Sequence, residues 1–349
     1  MATTDETLAV AAATRARLRD VTEAQRVAIA REWVDAWDTL APALRDGYAD
    51  ILARAAAGQR VPRYLVARDA RLKAALAQVR ATLREVSQTT VERIHADTES
   101  VVTAAPPDVE RVIRTQLPAS ATGFPVAHPA PDALDAIITR VGQRIHAQSA
   151  PLSSWTEQAM KRELVRGIAA GAGPRETARN IMQATERRFE GGLGRALNIA
   201  RTETLDAYRA AHAATTAENL DIIVGQRWLA TLDARTCSSC FGRHGTVFPP
   251  DEIGPADHPS GRCSFVPVTK PWRDLGIDLD EPAPVWQDRD QWWDSLTPGT
   301  QDRMLGPTRA AALRDGHITP EQLSVRVENP DWRPHYREAT LTELGLKGA

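Results

Sequence analysis

The stretch DIIVGQRWLATLDARTCSSC, residues 221–240, is where the pattern of the chain changes. Ahead of it, apolar residues recur at helical spacing. Inside it, Ile222, Ile223, Val224, Trp228 and Leu229 are the β-branched and aromatic residues of a strand. It ends in a C-x2-C pair, Cys237 and Cys240, and the third and last cysteine of the chain, Cys263, follows soon after. Gly and Pro are frequent from there to Thr269, with short strands expected at Thr246 to Phe248 and Ser264 to Val268. The expected fold is therefore mainly α, interrupted by one small α+β module at residues 222–270.

Cys237 and Cys240 have the spacing at which a tight turn aims two sulfurs at one point, and His258 and Cys263 extend it to C-x2-C-x17-H-x4-C. Four such ligands close a tetrahedron around Zn2+ and leave no position for water, so the expected ion is structural. A loop-rich module with few apolar residues gains its stability from such a metal. The alternative is that the thiols are small buried residues. His244 is a substitute ligand or an exposed loop residue. As chemistry, the cluster fits poorly with three known arrangements. A zinc deaminase needs H-x-E and a proline before the first cysteine, a zinc protease needs H-E-x-x-H, and a thioredoxin-like pair needs a helix that Gly242, Gly245 and Pro249 disfavour. A metal-dependent nuclease or toxin-like effector centred on Asp257 and His258 remains as an alternative reading.

Outward from the module, residues 1–105 read as an N-terminal helical region, with stripes such as Trp33, Val34, Trp37, Leu40 and Leu72, Leu76, Val79, Leu83. Prolines at 106, 107, 118, 125, 129 and 131 mark residues 106–131 as a linker or extended arm. A helical domain begins at 132 and runs into the module, through stripes at Ile137 to Ile145 and Met160 to Ile168. Gly171, Gly173 and Pro174 then open a helix expected to stop near Phe189, and a further one is expected from Arg195 towards Asn219 after the break at Gly191 and Gly192. The helix pair around GIAAGAGPRETARNI gives a second alternative, a helix-turn-helix DNA-binding protein with Arg175 and Arg179 on phosphates. Residues 271–349 form an acidic tail, expected to be helical, with five of the nine tryptophans. Of its adjacent pair, Trp292 and Trp293, one is expected to pack and the other to meet a partner.

The 349 residues carry 43 Lys+Arg against 45 Asp+Glu, a net charge of −2, which denies the chain a global field for nucleic acid or membrane. The N-terminal alanine-rich patch is too short and too charged for a signal or an anchor, so no membrane partner is expected. Three cysteines in close spacing without a secretion signal point to reduced thiols or metal in a cytoplasmic setting.

The order of motifs is more specific than any one of them. IARTETLDAYRAAH, then RWLATLDARTCSSCFGRHGTVF, then HPSGRC and FVPV resemble the phage head morphogenesis family, the Mu F-like minor capsid proteins. Arg201, Thr202, Glu203, Trp228, Asp233, Arg235, Thr236, Cys237, Cys240, Gly245, His258, Pro259, Arg262 and Cys263 stand at its motif positions, over about residues 135 to 325. Gly261 departs from it, standing where the family has a cysteine. The resemblance implies a Mu F-like domain at 132–270 in a low-copy head protein of a tailed phage or prophage. It implies assembly without turnover, in the head interior of the virion and in host cytoplasm before that. Its implied partners are the portal protein, other capsid or scaffold proteins, and phage DNA during packaging or ejection. Arg201, Glu203, Asp233 and Arg235 are expected to form charged pairs that lock the helical domain to the cysteine module.

Overall fold

The computed structural model describes residues 3–57, 59, 68–121, 123–149, 174–250, 261–328 and 335–346. Four long helices dominate it: α1 (Asp5–Ala56), α2 (Ala70–Arg114), α3 (Pro131–Ser149) and α4 (Pro174–Ala217). A small module follows, with β1 (Ile223–Leu229), α5 (Ser238–Arg243), β2 (Val247–Phe248) and β3 (Ser264–Thr269). Three short helices, α6 (Arg289–Asp294), α7 (Pro298–Leu305) and α8 (Pro307–Arg314), then lead to the hairpin of β4 (Ser324–Val327) and β5 (His335–Glu338).

The chain divides into two compact units that interleave along the sequence. One comprises Met1–Asp20, Thr98–Ile138 and Leu205–Ala349, the other Val21–Asp97 and Thr139–Thr204. In the second unit α1 buries Ile29, Trp33, Ala36, Leu40 and Leu44, while α2 buries Leu72, Val79, Leu83, Val86 and Ile94. Trp37 lies off the deepest line, and Val34 is exposed. A Cβ on Gly47 would stand 2.7 Å from that of Ala75, so the glycine permits close approach of the two helices. Polar groups share this seam. The Gln25 amide donates to Asp97 Oδ2 at 2.8 Å and to Thr204 Oγ1 at 3.1 Å, and Trp33 Nε1 donates to Thr90 Oγ1.

In the first unit, β1 lies between β2 and β3, antiparallel to both, with Arg227 opposite Val247 on one side and Val266 on the other. Val109 and Ile113 of α2 pack on Ile222 and Ile223, and Val112 packs with Ala11, Leu229 and Val266. Gln116 joins helix to sheet: its amide donates to Pro267 O at 2.8 Å, its Oε1 accepts from Thr269 N, and its carbonyl accepts from Trp272 Nε1. Buried Asp108 accepts from Arg17, from Arg111 and, at 3.0 Å, from the Tyr208 hydroxyl.

Four local expectations change. The arm expected from Pro106 begins only beyond Arg114, because α2 runs through Pro106 and Pro107. Each proline removes a helix hydrogen bond, but Val101, Val102, Ala105, Val109 and Ile113 are all fully buried around them and offset that loss. The break at Gly191 and Gly192 is absent, and α4 is continuous through both. Each glycine costs only ~1 kcal/mol in a helix, which the buried Ala196, Ile199 and Ala200 just beyond outweigh. The tail is not wholly helical, since β4 and β5 pair at its end. Nor does Trp292 turn away while Trp293 packs, because both rings meet Phe241, at 6.2 and 5.2 Å.

Candidate functional site

The three cysteines meet in one cluster of the strand module. Trp228, fully buried on β1, packs with Ala230, Cys240, Cys263 and Phe265, with Cys237, Leu232 and Phe248 at the margin. Phe265 stands edge-on to the indole at 5.4 Å. The turn from β1 to α5 is built by its own side chains: Thr236 Oγ1 accepts from Asp233 N and donates to Thr231 O, and Asp233 Oδ1 accepts from Arg235 N. Cys237 then caps α5, its sulfur accepting the Cys240 amide at 3.3 Å. The C-x2-C therefore does open a helix. Gly242 lies inside it because a Cβ there would stand 2.3 Å from Pro320 O, so close packing selects the glycine.

Two clamps fix residues 261–263. Asp233 holds Arg262 through a bidentate pair, 2.6 and 2.8 Å. The Arg262 guanidinium, helped by the Arg235 amide, keeps the Asp233 carboxyl below its ordinary value. From α4, buried Arg209 pairs with Asp206 at 3.1 Å and donates to Gly261 O and Cys263 O at 2.8 and 3.0 Å. Gly261 thus offers a backbone acceptor where the resemblance expects a thiol.

Arg243 lies between two rings, 3.7 Å from the Trp228 centroid and 4.1 Å from that of Tyr336, and its guanidinium reaches Ser239 and, at 4.0 Å, Cys240 Sγ. His244 is neither an exposed loop residue nor a substitute ligand. It is buried, its Nδ1 accepts from Ala230 N at 3.2 Å and its Nε2–H donates to Gln287 O at 3.0 Å. Both nitrogens are thereby used, and burial pushes its pKa down to about 4.

Of the expected charged set, Asp233 has Arg262 as its close partner, and the Arg235 side chain, largely exposed, stands 3.9 Å from it. Glu203, buried, receives Arg144 at 3.2 Å, and Arg201 donates to Thr22 Oγ1 at 3.3 Å. Asp257 and His258 lie outside the described residues, as do the side chains of Arg175 and Arg179, which begin α4. Among the described residues, no group of three His, Cys, Asp or Glu is arranged to hold a metal ion. None of the three cysteines is in a disulfide.

Residues 158–266 match the phage Mu protein F like family. The Mu F-like segment contains β1, the Asp233 turn, α5, both clamps and the start of β3, so the motif order read from the sequence coincides with the matched region. Its helical part includes Arg201, Glu203, Asp206 and Arg209. No curated protein and no solved structure matches the chain. The match suggests a phage head morphogenesis or capsid-related protein. No helix among the described residues is long and apolar enough to cross a membrane.

The clamps were not legible as pairs. Arg209 and Arg262 each reach a group far off in sequence, although Asp206 and Arg209, three apart on a helix, form a spacing that signals an ion pair.

Proposed function

We propose that the chain is a minor head protein of a tailed phage or prophage. On this reading it sits with the portal inside the procapsid and serves head assembly and the packaging or ejection of DNA. It works from the host cytoplasm during assembly and from the head interior of the virion afterwards. The observation that carries the reading is the Mu F-like match over residues 158–266. The local chemistry supports it, because the conspicuous polar side chains of the module are engaged in holding backbone, rings or each other. Asp233 and Arg262 grip one another, Arg209 grips two carbonyls, and His244 bridges two main-chain groups. Such a module presents a fixed shape to a partner.

A structural zinc ion on Cys237, Cys240, His258 and Cys263 belongs to the same proposal. Its support is the C-x2-C-x17-H-x4-C spacing, together with the packing of the three cysteines in one cluster of the module. The ion would supply cross-linking only; the clamps hold residues 261–263 without it.

The test is co-expression of the tagged chain with the portal, scaffold and capsid proteins encoded beside it. Sedimentation with procapsids at low copy, lost when the portal is omitted, is the expected result. A chain that stays with unassembled protein while complete procapsids form overturns the reading.

A further inference from the structure

The compact unit that holds the cysteine module contains a cavity of about 30 Å3, where the early turns of α1, the end of α2, the late turns of α4 and the start of β3 converge. Ala11, Val112 and Val266 give it an apolar wall. Thr14 and Arg15 also line it and are partly exposed, so it is reached from solvent past them.

Its polar groups are of two kinds. Asp108 is already matched, since it accepts from Arg17, from Arg111 and, at 3.0 Å, from the Tyr208 hydroxyl. A cation entering the cavity would find no acid left to answer it. His212 and Arg15 are not matched. His212 is buried, and neither ring nitrogen has a hydrogen-bond partner among the described residues; its ring lies 6.2 Å from that of Tyr208. Burial pushes its pKa down to about 4, so at neutral pH it is an uncharged ring with one donor and one acceptor. Arg15 has no carboxylate within ion-pair distance among the described residues, and its acceptor, Ala230 O, is a long 3.5 Å away. Most of the guanidinium donors are thus left over.

We propose that this cavity takes one carboxylate group, with Arg15 as its counter-ion and the His212 ring as a further donor. Size selects the class. At about 10 to 15 Å3 for each water-sized group there is room for roughly two or three, which suits the carbon and two oxygens of a carboxylate and excludes a tetrahedral phosphate or a ring. Charge agrees, because Arg15 brings one positive charge and the Asp108 carboxylate beside it opposes a dianion. The hydroxyls of Thr14 and Ser264 line the same cavity and can donate to the carboxylate oxygens. The apolar wall keeps the local dielectric low, which strengthens a charge pair formed against it. A small free acid and a polypeptide C-terminus offer the same group. The inference rests on this cavity and holds apart from the head reading.

Titration of the full chain, carrying isotope-labelled histidine, with acetate at neutral pH tests it. The His212 ring signals, identified by their loss in His212→Gln, should move and saturate in the millimolar range expected of so small a ligand. Acetamide, of the same shape without the charge, should leave them in place. Arg15→Gln should weaken acetate binding at least ~10-fold, while Arg15→Lys, which keeps the charge, should lose less. A short apolar peptide with a free C-terminus, compared with its amide, separates the two sources: tighter binding than acetate assigns the group to a polypeptide end, weaker binding to a small free acid. Unmoved His212 signals at about 100 mM acetate, an equal response to acetamide, or undiminished binding by Arg15→Gln would each overturn the proposal and leave the cavity to water. The wild-type titrations decide the matter even where a variant fails to fold. None of these results bears on capture by procapsids, so this inference and the head reading can fail separately.

Discussion

Asp233 and His244 show how single groups in the module convert proton binding into stability. The Asp233 carboxyl is held below its ordinary value of 3.8 by Arg262, so its contribution is fully present above that value and is lost as pH falls through the lower folded-state value. The carboxylate is more than a third exposed, so solvent screening limits the pair. Asp233→Asn should cost ~1 kcal/mol at pH 7, with the deficit shrinking below about pH 4 in urea titrations. The histidines act over a higher window. Burial lowers both His244 and His212 from 6.5 to about 4. The unfolded chain therefore takes up protons first as pH falls, and stability should decline between pH 6.5 and 4. The double variant His212→Phe, His244→Gln should show a flatter melting temperature across that window, whatever its absolute stability. An equal slope in variant and wild type would remove the histidines from the account.

At the level of elements, the sequence exposed periodicity but not what packs against it. Strands β2 and β3 fall within a residue of expectation, because runs bounded by Gly and Pro are a local signal, while β1 occupies Ile223–Leu229 of the strand-like stretch 221–233 and gives way at its end to the turn built by Thr231, Asp233 and Thr236. The helix through Pro106 and Pro107 and the continuous α4 were hidden, since in both a local breaker is overruled by burial of a distant stripe. In α2 that stripe is regular: Leu72, Leu83, Ile94 and Ala105 recur every eleven residues, as do Val79, Thr90, Val101 and Val112, and all are buried. Eleven residues in three turns is close to the natural period of an α-helix, so a long helix keeps one line inward without the left-handed coiling a heptad imposes. The short helix α5 makes the same point in reverse. Gly242 looks like a helix breaker, yet Gly242→Ala, which raises helix propensity, should destabilise the protein by about 2 kcal/mol because the added methyl meets Pro320 O. Thermal unfolding of this variant beside an exposed control, Gly299→Ala in α7, checks the sign. A stabilised Gly242→Ala would mean that the contact yields at little cost.

For the whole molecule, the matched family segment falls in both compact units, residues 158–204 in one and 205–266 in the other. The compact unit containing the cysteine module also takes in residues 1–20 and 98–138, and its ties run through groups that are costly to strand. Asp108 is almost wholly buried and answers Arg17, Arg111 and Tyr208 together, while Gln116 bonds the sheet from the end of α2. Cutting the chain at residue 132, where composition suggests a boundary, removes both. It also uncovers Ile222, Ile223, Leu229 and Val266, each buried against Ala11, Val109, Val112 or Ile113. A fragment of residues 132–349 should therefore lack a cooperative melting transition and bind a hydrophobic dye, whether or not zinc is supplied. Adding residues 1–131 in trans should restore a transition. Zinc analysis of the intact chain, purified without chelator, separates the other contribution: about one ion per chain is expected, and Cys263→Ser should lose it. If the fragment melts cooperatively with zinc alone, the metal holds the module. Clamps and helix contacts then merely orient it, and the interleaved architecture would have to be explained by assembly with a partner rather than by folding.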